Sequence, residues 1–430
     1  MTAHKSLVQQ AGPGPGRRLY DFLMAGSAAY ARWDYDTSMS IIRNGRKLLL
    51  LALLVAPIVL VSLAEATSGV SMLGGKSAYA PSFYSTSIFV VSIAIGLAAG
   101  LITGTIGAGG GFIITPALMA VGVKGIMAVG TDVFHIFAKA IMGTAVHRKL
   151  GNVSFKLAIA FLVGSSVGTV IGGTLNKALY DADPLLSELF ISLVYAVLLG
   201  FLGYYSVADH LVERRKRSTD QGGVCVPVCE KGRGTWLQSI HLPPMIRFDE
   251  DSNGGRQISG VFVALGGLVV GVLASILGVG GGFVTFPMFV FVFGVSGATT
   301  VGTDILQIVF TAGIAAITQY AINGYVFYTL AMGMLVGSLI GIQVGAFTTK
   351  VVDCHQIRGF YAITIVAGFI NRAVTLPKKL VELEYIDLPL PLVDGIEFVG
   401  NILFWLVIAV FAFWVFAKFI SGARQTRQGS

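Results

Sequence analysis

Apolar stretches long enough to cross a bilayer recur along this chain and constrain it more than any other feature. They run Leu48–Ala64, Ile88–Thr103, Ile126–Val146, Leu157–Leu179 and Leu186–Val207, then Ile258–Leu277, Ala298–Tyr320, Val326–Thr349, Ile357–Leu376 and Phe398–Ile420. Hydrocarbon offers no water to backbone N–H and C=O groups, and runs of about 18 residues or more satisfy those groups as helices. With 54% hydrophobic and only 12% charged residues among 430, the chain reads as an all-α polytopic integral membrane protein, not a soluble enzyme. Two further apolar segments, Phe112–Val121 and Phe283–Phe293, are too short to span alone at 1.5 Å per residue. Each follows a glycine cluster. They form either re-entrant half-helices or parts of full crossings.

The clusters expose an internal duplication. "GAGGGFIITP" (Gly107 to Pro116) returns as "GVGGGFVTFP" (Gly278 to Pro287), and "VGTD" at Val129 returns at Val301. "GSSVGTVIGG" from Gly164 is answered by "GSLIGIQVGA" from Gly337. Three anchors in one order, with nearly constant offset, mark two copies of one unit. These are placed at 88–207 and 258–376, with a charged loop at 208–257 between them. Flanking them are an extension with a first helix and loop at 1–87, and a loop, last helix and tail at 377–430.

Orientation follows from the basic residues, which stay on the cytoplasmic side. Residues 1–47, the connection from His147 to Lys156, the 208–257 loop, the 350–358 loop and the tail from Lys418 hold most of them. The connections at 65–87, 180–189 and 377–397 are poor in bases. Both termini are then expected in the cytoplasm of a multi-pass protein of the cell inner membrane. Each repeat crosses an odd number of times, as inverted-topology repeats do. Leu48–Ala64 reads as an uncleaved membrane helix, with a cleaved signal sequence as the alternative. The net charge of +8 lies in loops, so it sets topology and meets anionic lipid through "VERRKR" (Val212 to Arg217), and no nucleic-acid partner is expected.

A helix broken within hydrocarbon is tolerated only where it is buried in protein or faces a watered cavity. Successive glycines let backbone N–H groups approach a ligand, and the following short helix points its positive end at the same place, so the breaks suit an anion. The candidate binding residues are Gly107, Gly109, Gly110 and Gly111 in the first break and Gly278, Gly280, Gly281 and Gly282 in the second. Thr131, Thr303 and Gln307 are candidate neutral donors. By contrast Gly164, Gly168, Gly172 and Gly337, Gly341, Gly345, spaced by four, read as close-packing positions.

Asp132 and Asp304 hold equivalent places inside apolar segments. An ionisable group there costs about 3 kcal/mol, which makes each a candidate for proton coupling; the alternative is a helix cap or structural pair. His135, three residues after Asp132 on one helical face, joins them as a candidate or is a satisfied interior histidine. Lys139 is either an anion guide or a snorkelling lysine. Cys225 and Cys229 with His241 read as reduced thiols rather than a metal site, and no catalytic set, cofactor motif or nucleotide loop is present in the sequence.

The paired "GxGGGF…P" clusters, each followed by "VGTD", resemble the TauE/SafE or sulfite exporter family over about Ile88 to Leu376. That resemblance implies transport of small sulfur-containing or organic anions such as sulfite or sulfonates, often outward and driven by protons. It also carries the glycine clusters, Thr131–Asp132 and Thr303–Asp304 over as pathway residues. A passive anion channel and a membrane assembly factor remain as alternatives, and the oligomeric state is not fixed.

Overall fold

The computed structural model describes residues 16–21, short pieces within 35–49, and 86–106, 111–147, 154–216, 238–240, 242–248, 256–281, 284–285, 288–295, 297–348, 352 and 354–428. All of the Leu48–Ala64 segment except Leu49, together with Cys225, Cys229 and His241, lies outside these residues.

Helix α1 covers Thr86–Ile106, the short α2 Gly111–Ala120, α3 Gly125–His147, α4 Phe155–Ala182 and α5 Pro184–Lys216. An antiparallel hairpin, β1 (Met245–Phe248) with β2 (Arg256–Ser259), leads straight into α6 (Gly260–Leu277). Ser259 caps α6, its hydroxyl accepting from the Val261 N–H. A π-helical turn at Met288–Val292 follows, then α7 (Gly297–Ile314) with its π-helical continuation Ala315–Ala321. Next come α8 (Tyr328–Thr348), α9 (Cys354–Glu382) and α10 (Leu390–Gln428). The order of α1 to α5 is therefore repeated from α6 to α9, with a π-helical turn where α2 stands in the first copy.

Among the described residues six helices, α1, α4, α5, α6, α8 and α10, are long and apolar enough to cross a membrane. Helix α4 shows how they sit. It exposes Phe155, Ile159, Val163, Val167 and Ile171 along one stripe and buries Gly164, Ser165, Gly168 and Gly172 on the other side. An apolar face turned outward and a small-residue face turned inward suit lipid outside and helix inside.

The close pairs join the two repeats. A Cβ on Gly172 would stand 2.6 Å from the Val272 carbonyl oxygen, and Gly164 and Gly168 abut Ala264 and Leu268 in the same way. On the other side of the molecule Gly345 would meet the Leu101 carbonyl oxygen at 2.6 Å, with Gly337 and Gly341 against Ile93 and Leu97. Residue numbers rise together in both pairs, so α4 runs parallel to α6 and α8 parallel to α1. The first helix of each repeat is clasped by the fourth helix of the other, and the spaced glycines are backbone-contact positions.

Equivalent helices, by contrast, run in opposite directions. Gly200 faces Phe369, Gly203 faces Ile365 and Gly359 faces His210, which makes α5 and α9 antiparallel. Gly130 faces Tyr320 and Gly313 faces Phe137, which does the same for α3 and α7. The two copies are thus related by an inverting pseudo-two-fold axis that passes between α3 and α7 and between α5 and α9. The hairpin preceding the second copy packs Ile246, Phe248 and Ile258 onto Leu157, Phe161, Phe289 and Phe293.

Candidate functional site

The second glycine break is a built feature of the bundle interior. Helix α6 ends at Leu277, and Gly278 (φ +77°), Gly280 (φ +68°) and Gly281 (φ +87°) all take the left-handed conformation that side chains disfavour. A helix end buried in a membrane protein leaves carbonyls that need donors. Distant helices supply them here. Tyr195 of α5 donates its hydroxyl to the Leu277 carbonyl, Tyr320 donates to Ser275 O at 2.6 Å, and Asn176 Nδ2 donates to Ser275 O and Ile276 O at 3.4 Å each. Asn176 also reaches the Tyr320 hydroxyl at 3.1 Å.

Beyond this cap, Gly278 gives its N–H to Ala274 O, and the Gly281 carbonyl accepts from Val284 N, Thr285 N and Thr285 Oγ1, each at 2.9 Å. Among the described residues no acceptor takes the N–H groups of Val279, Gly280 or Gly281. Consecutive N–H groups around left-handed glycines form the concavity that binds anions elsewhere. Gly111, at the end of the first break, abuts Val279, where a Cβ would stand 3.2 Å from Val279 Cγ1. The two breaks therefore meet. Gly107, Gly109, Gly110 and Gly282 lie outside the described residues.

Helix α3 lines the same region. A Cβ on Gly278 would lie 3.0 Å from Val129 Cα and 3.1 Å from Thr115 Oγ1, and one on Gly280 would lie 2.6 Å from Ile136 Cγ2. Thr115 in turn donates to Asp132 Oδ2 at 3.1 Å. The other carboxylate oxygen is 3.7 Å from His135 Nδ1, and His135 Nε2 is 3.3 Å from Ser338 Oγ of α8. Among the described residues Asp132 Oδ1 and His135 Nδ1, both buried, have no hydrogen-bond partner. Lys139, one turn further along α3, is buried and acts electrostatically on both. Asp132 sits in the second turn of α3 rather than at its N-cap, and Lys139 is too deep to snorkel.

The equivalent face of α7 repeats the scaffold with different chemistry. Gln307, counterpart of His135, donates to Thr311 Oγ1 at 2.7 Å, and Thr311 meets Ser165 of α4 at 2.9 Å. Thr311 is the counterpart of Lys139, and Ser165 that of Ser338. The Gly313 to Phe137 contact sets a register in which Lys139 stands level with Thr311. A residue level with its own repeat equivalent lies at the pseudo-two-fold axis. The helix holding Asp304 is described, but its side chain lies outside the described positions.

Thr131 and Thr303 have an additional task. The Phe327 N–H donates to Thr131 Oγ1 at 2.9 Å, and the Ser154 N–H donates to Thr303 Oγ1 at 3.2 Å. Each threonine thus satisfies the backbone just before the fourth helix of the opposite repeat, which places it at the joint between repeats. Among the described residues no acceptor takes either hydroxyl hydrogen.

Sequence reasoning missed Tyr195, Asn176, Tyr320 and Arg372. Arg372 of α9 is 2% exposed, the largest fully buried side chain among those described. Its Nε donates to Asn371 Oδ1 at 2.9 Å and its Nη2 to the same oxygen, while Asn371 Nδ2 donates to Asn401 Oδ1 of α10 at 2.6 Å. A lone arginine in "ITIVAGFINRAVTL" was signal enough, because an intramembrane charge is a functional candidate by default. Among the described residues no group of three His, Cys, Asp or Glu side chains is placed to hold a metal.

Residues 92–372 match the sequence family described as Sulfite exporter TauE/SafE. A "Probable membrane transporter protein YunE" of Bacillus subtilis is 24% identical over 269 residues, 60% of this chain and 87% of that protein. A "Probable membrane transporter protein" of Xylella fastidiosa is 23% identical over 65% of this chain and 92% of its own length. For "Probable membrane transporter protein MJ0441" of Methanocaldococcus jannaschii the figures are 22%, 59% and 84%. No solved structure matches the chain.

Proposed function

The chain belongs to the sulfite exporter TauE/SafE family of multi-pass membrane transporters, and on that premise we propose that it is a secondary exporter of small sulfur-containing or organic anions, sulfite and sulfonates foremost, coupled to protons. The observation that carries this reading is the meeting of the two glycine breaks beside Asp132. Three backbone N–H groups without an acceptor among the described residues stand against α3, which carries the buried Asp132, His135 and Lys139 along one face. The N–H groups and the hydroxyls of Thr131 and Thr303 would hold an oxyanion, with Gln307 as a further donor. Asp132, with His135 and with Asp304 in the second repeat, would take up a proton as the anion passes, which removes the repulsion between carboxylate and cargo.

The inverted halves would rock about this site in alternating access, as clasped bundles of this kind do. The distribution of basic residues favours cytoplasmic termini and, for a bacterial cell, the inner membrane. A passive channel would use the same breaks but would not tie anion to proton movement, whereas an assembly factor would move no anion.

The test is uptake of radiolabelled sulfite into proteoliposomes of the purified protein, with and without an imposed pH gradient, against protein-free vesicles. Gradient-dependent uptake that unlabelled sulfonates suppress is expected. A folded protein that takes up neither sulfite nor any of a sulfonate panel contradicts the cargo assignment.

A further inference from the structure

Arg372 has no counterpart in the first repeat and takes no part in the mechanism above. Helix α5, the repeat equivalent of α9, has no lysine or arginine from Pro184 to Ala208. A guanidinium removed from water inside a bundle costs several kcal/mol unless charge or hydrogen bonds compensate it. The compensation among the described residues is small. Its hydrogen bonds go to one neutral amide oxygen, that of Asn371, and among the described residues no carboxylate forms an ion pair with it. The acids within electrostatic reach, Glu188 and Glu397, are already held: Lys379 Nζ is 2.9 Å from Glu188 Oε2, and Lys378 Nζ is 2.8 Å from Glu397 Oε2.

The surroundings of Arg372 lead to the transport site. Tyr195 is its electrostatic neighbour and also that of Asp132, and the Tyr195 hydroxyl closes the carbonyl end of α6 one residue before the Gly278 break. The contacts of Gly200 with Phe369 and of Gly368 with Leu199 set Arg372 about level with Ala196 on α5, beside Tyr195. Nε and Nη2 both point at Asn371, so the amide holds one edge of the fork, and among the described residues no acceptor takes the Nη1 edge. Asn401 of α10 fixes that amide in turn.

We propose that Arg372 is a substrate-binding residue that takes an oxyanion, the sulfonate or sulfite head of the cargo, on the free edge of its guanidinium, with Asn371 and Asn401 as positioning residues. The planar fork matches two oxygens of such a group, a geometry that lysine does not reproduce. Because the membrane part of α5 offers no such cation in the first repeat, the residue binds cargo from one half only and gives the site a direction that an ideal inverted pair lacks. Helix α10, which follows the family-matched residues, thereby acquires a role in recognition. This inference rests on the anion-transport reading.

The experiment compares Arg372→Gln, Arg372→Lys and Asn401→Ala in proteoliposomes, measuring KM and kcat for sulfite and for ethanesulfonate. Arg372→Gln is expected to raise KM about tenfold or more, Arg372→Lys to recover part of that loss, and Asn401→Ala to raise KM less. Asn401→Ala added to Arg372→Gln should then have no further effect, because the amide chain acts only through the guanidinium. Unchanged KM in both Arg372→Gln and Asn401→Ala overturns the proposal, as does a fall in kcat alone.

If the wild-type protein moves neither anion, the cargo assignment fails separately. Arg372 is then judged by thermal stabilisation of the purified protein with sulfite, ethanesulfonate, acetate and phosphate. Stabilisation by one of these oxyanions that Arg372→Gln abolishes supports the site. Stabilisation equal in both proteins, or absent from both, overturns it.

Discussion

The inner faces of α3 and α7 occupy equivalent places in the two repeats and share their joints, yet only one of them carries charge along its whole length. Thr131 and Thr303 each accept an N–H at the start of the opposite repeat's fourth helix, and Ser338 and Ser165 each stand against the middle of the face. Where α3 has His135 and Lys139, α7 has Gln307 and Thr311. A duplicated scaffold needs its packing positions twice, because each joint is made once by each copy. It need not repeat all of its chemistry if both copies line one pathway, as the proposed mechanism has it. Under the proposed mechanism the difference separates residues that hold the halves together from residues that would act on cargo and protons.

The comparison can be broken most readily at its charged end. Asp132→Asn is expected to lower gradient-driven sulfite accumulation by about a hundredfold while leaving sulfite exchange, because a neutral amide keeps the Thr115 contact but carries no proton. Gln307→Leu, at the uncharged counterpart of His135, should cost no more than about threefold in the same uptake assay. Equal losses would show that both faces carry the chemistry.

Substitutions in the second break come next. Gly278→Ala and Gly280→Ala force a side chain into the left-handed region and into contact with Val129 and Ile136, at a cost of about 2 kcal/mol each, read as lowered thermal stability. Gly395→Ala, where a Cβ meets nothing within 4 Å, is the control and should not lower stability.

Thr131→Val and Thr303→Val sharpen the scaffold half of the comparison. Each removes an acceptor from a buried N–H and should cost about 1 kcal/mol, equally in the two repeats. A loss confined to one of them would mean that the joints are not equivalent. The smallest effect belongs to Lys378, whose amine is 2.8 Å from both Asp394 and Glu397. Those hydrogen bonds hold its pKa above the ordinary lysine value. The sign follows: with the folded value raised, the ammonium's contribution is complete below the ordinary lysine pKa and is lost only as pH rises through the raised one. Lys378→Met should therefore cost at most about 1 kcal/mol, by the same amount from about pH 7 to about pH 10 in thermal unfolding.

Much of this arrangement was legible in the sequence, and what was not shares one cause. The membrane helices, the duplication, the inverted sense of the repeats and the packing role of Gly164 and its companions follow from local patterns, such as apolar runs and small residues spaced by four. Asp132 was legible because a charge inside an apolar run is conspicuous at any distance from its partners. The cap on α6 was not. Tyr195, Asn176 and Tyr320 reach it from 82, 99 and 45 residues away, and each looks like an ordinary amphipathic helix residue in its own segment.

The joint role of Thr131 and Thr303 is not legible in sequence, since the backbone groups they satisfy lie 196 and 149 residues distant. Arg372 could have been found by the rule that singled out Asp132. It lies near the end of its apolar run, where a basic residue reads as an interface anchor, and only the packing of α5, α9 and α10 shows it buried.

The most direct test of the central claim, that the charged face of the first repeat couples an anion to protons, is simultaneous measurement of sulfite and proton flux in one proteoliposome preparation. Labelled sulfite and an internal pH dye would be followed together for the wild-type protein and for Asp132→Asn. The account predicts a fixed ratio of protons to sulfite in the wild type, and sulfite exchange without proton movement in Asp132→Asn. Sulfite flux in the wild type with no accompanying protons, or an unchanged ratio in Asp132→Asn, would contradict it.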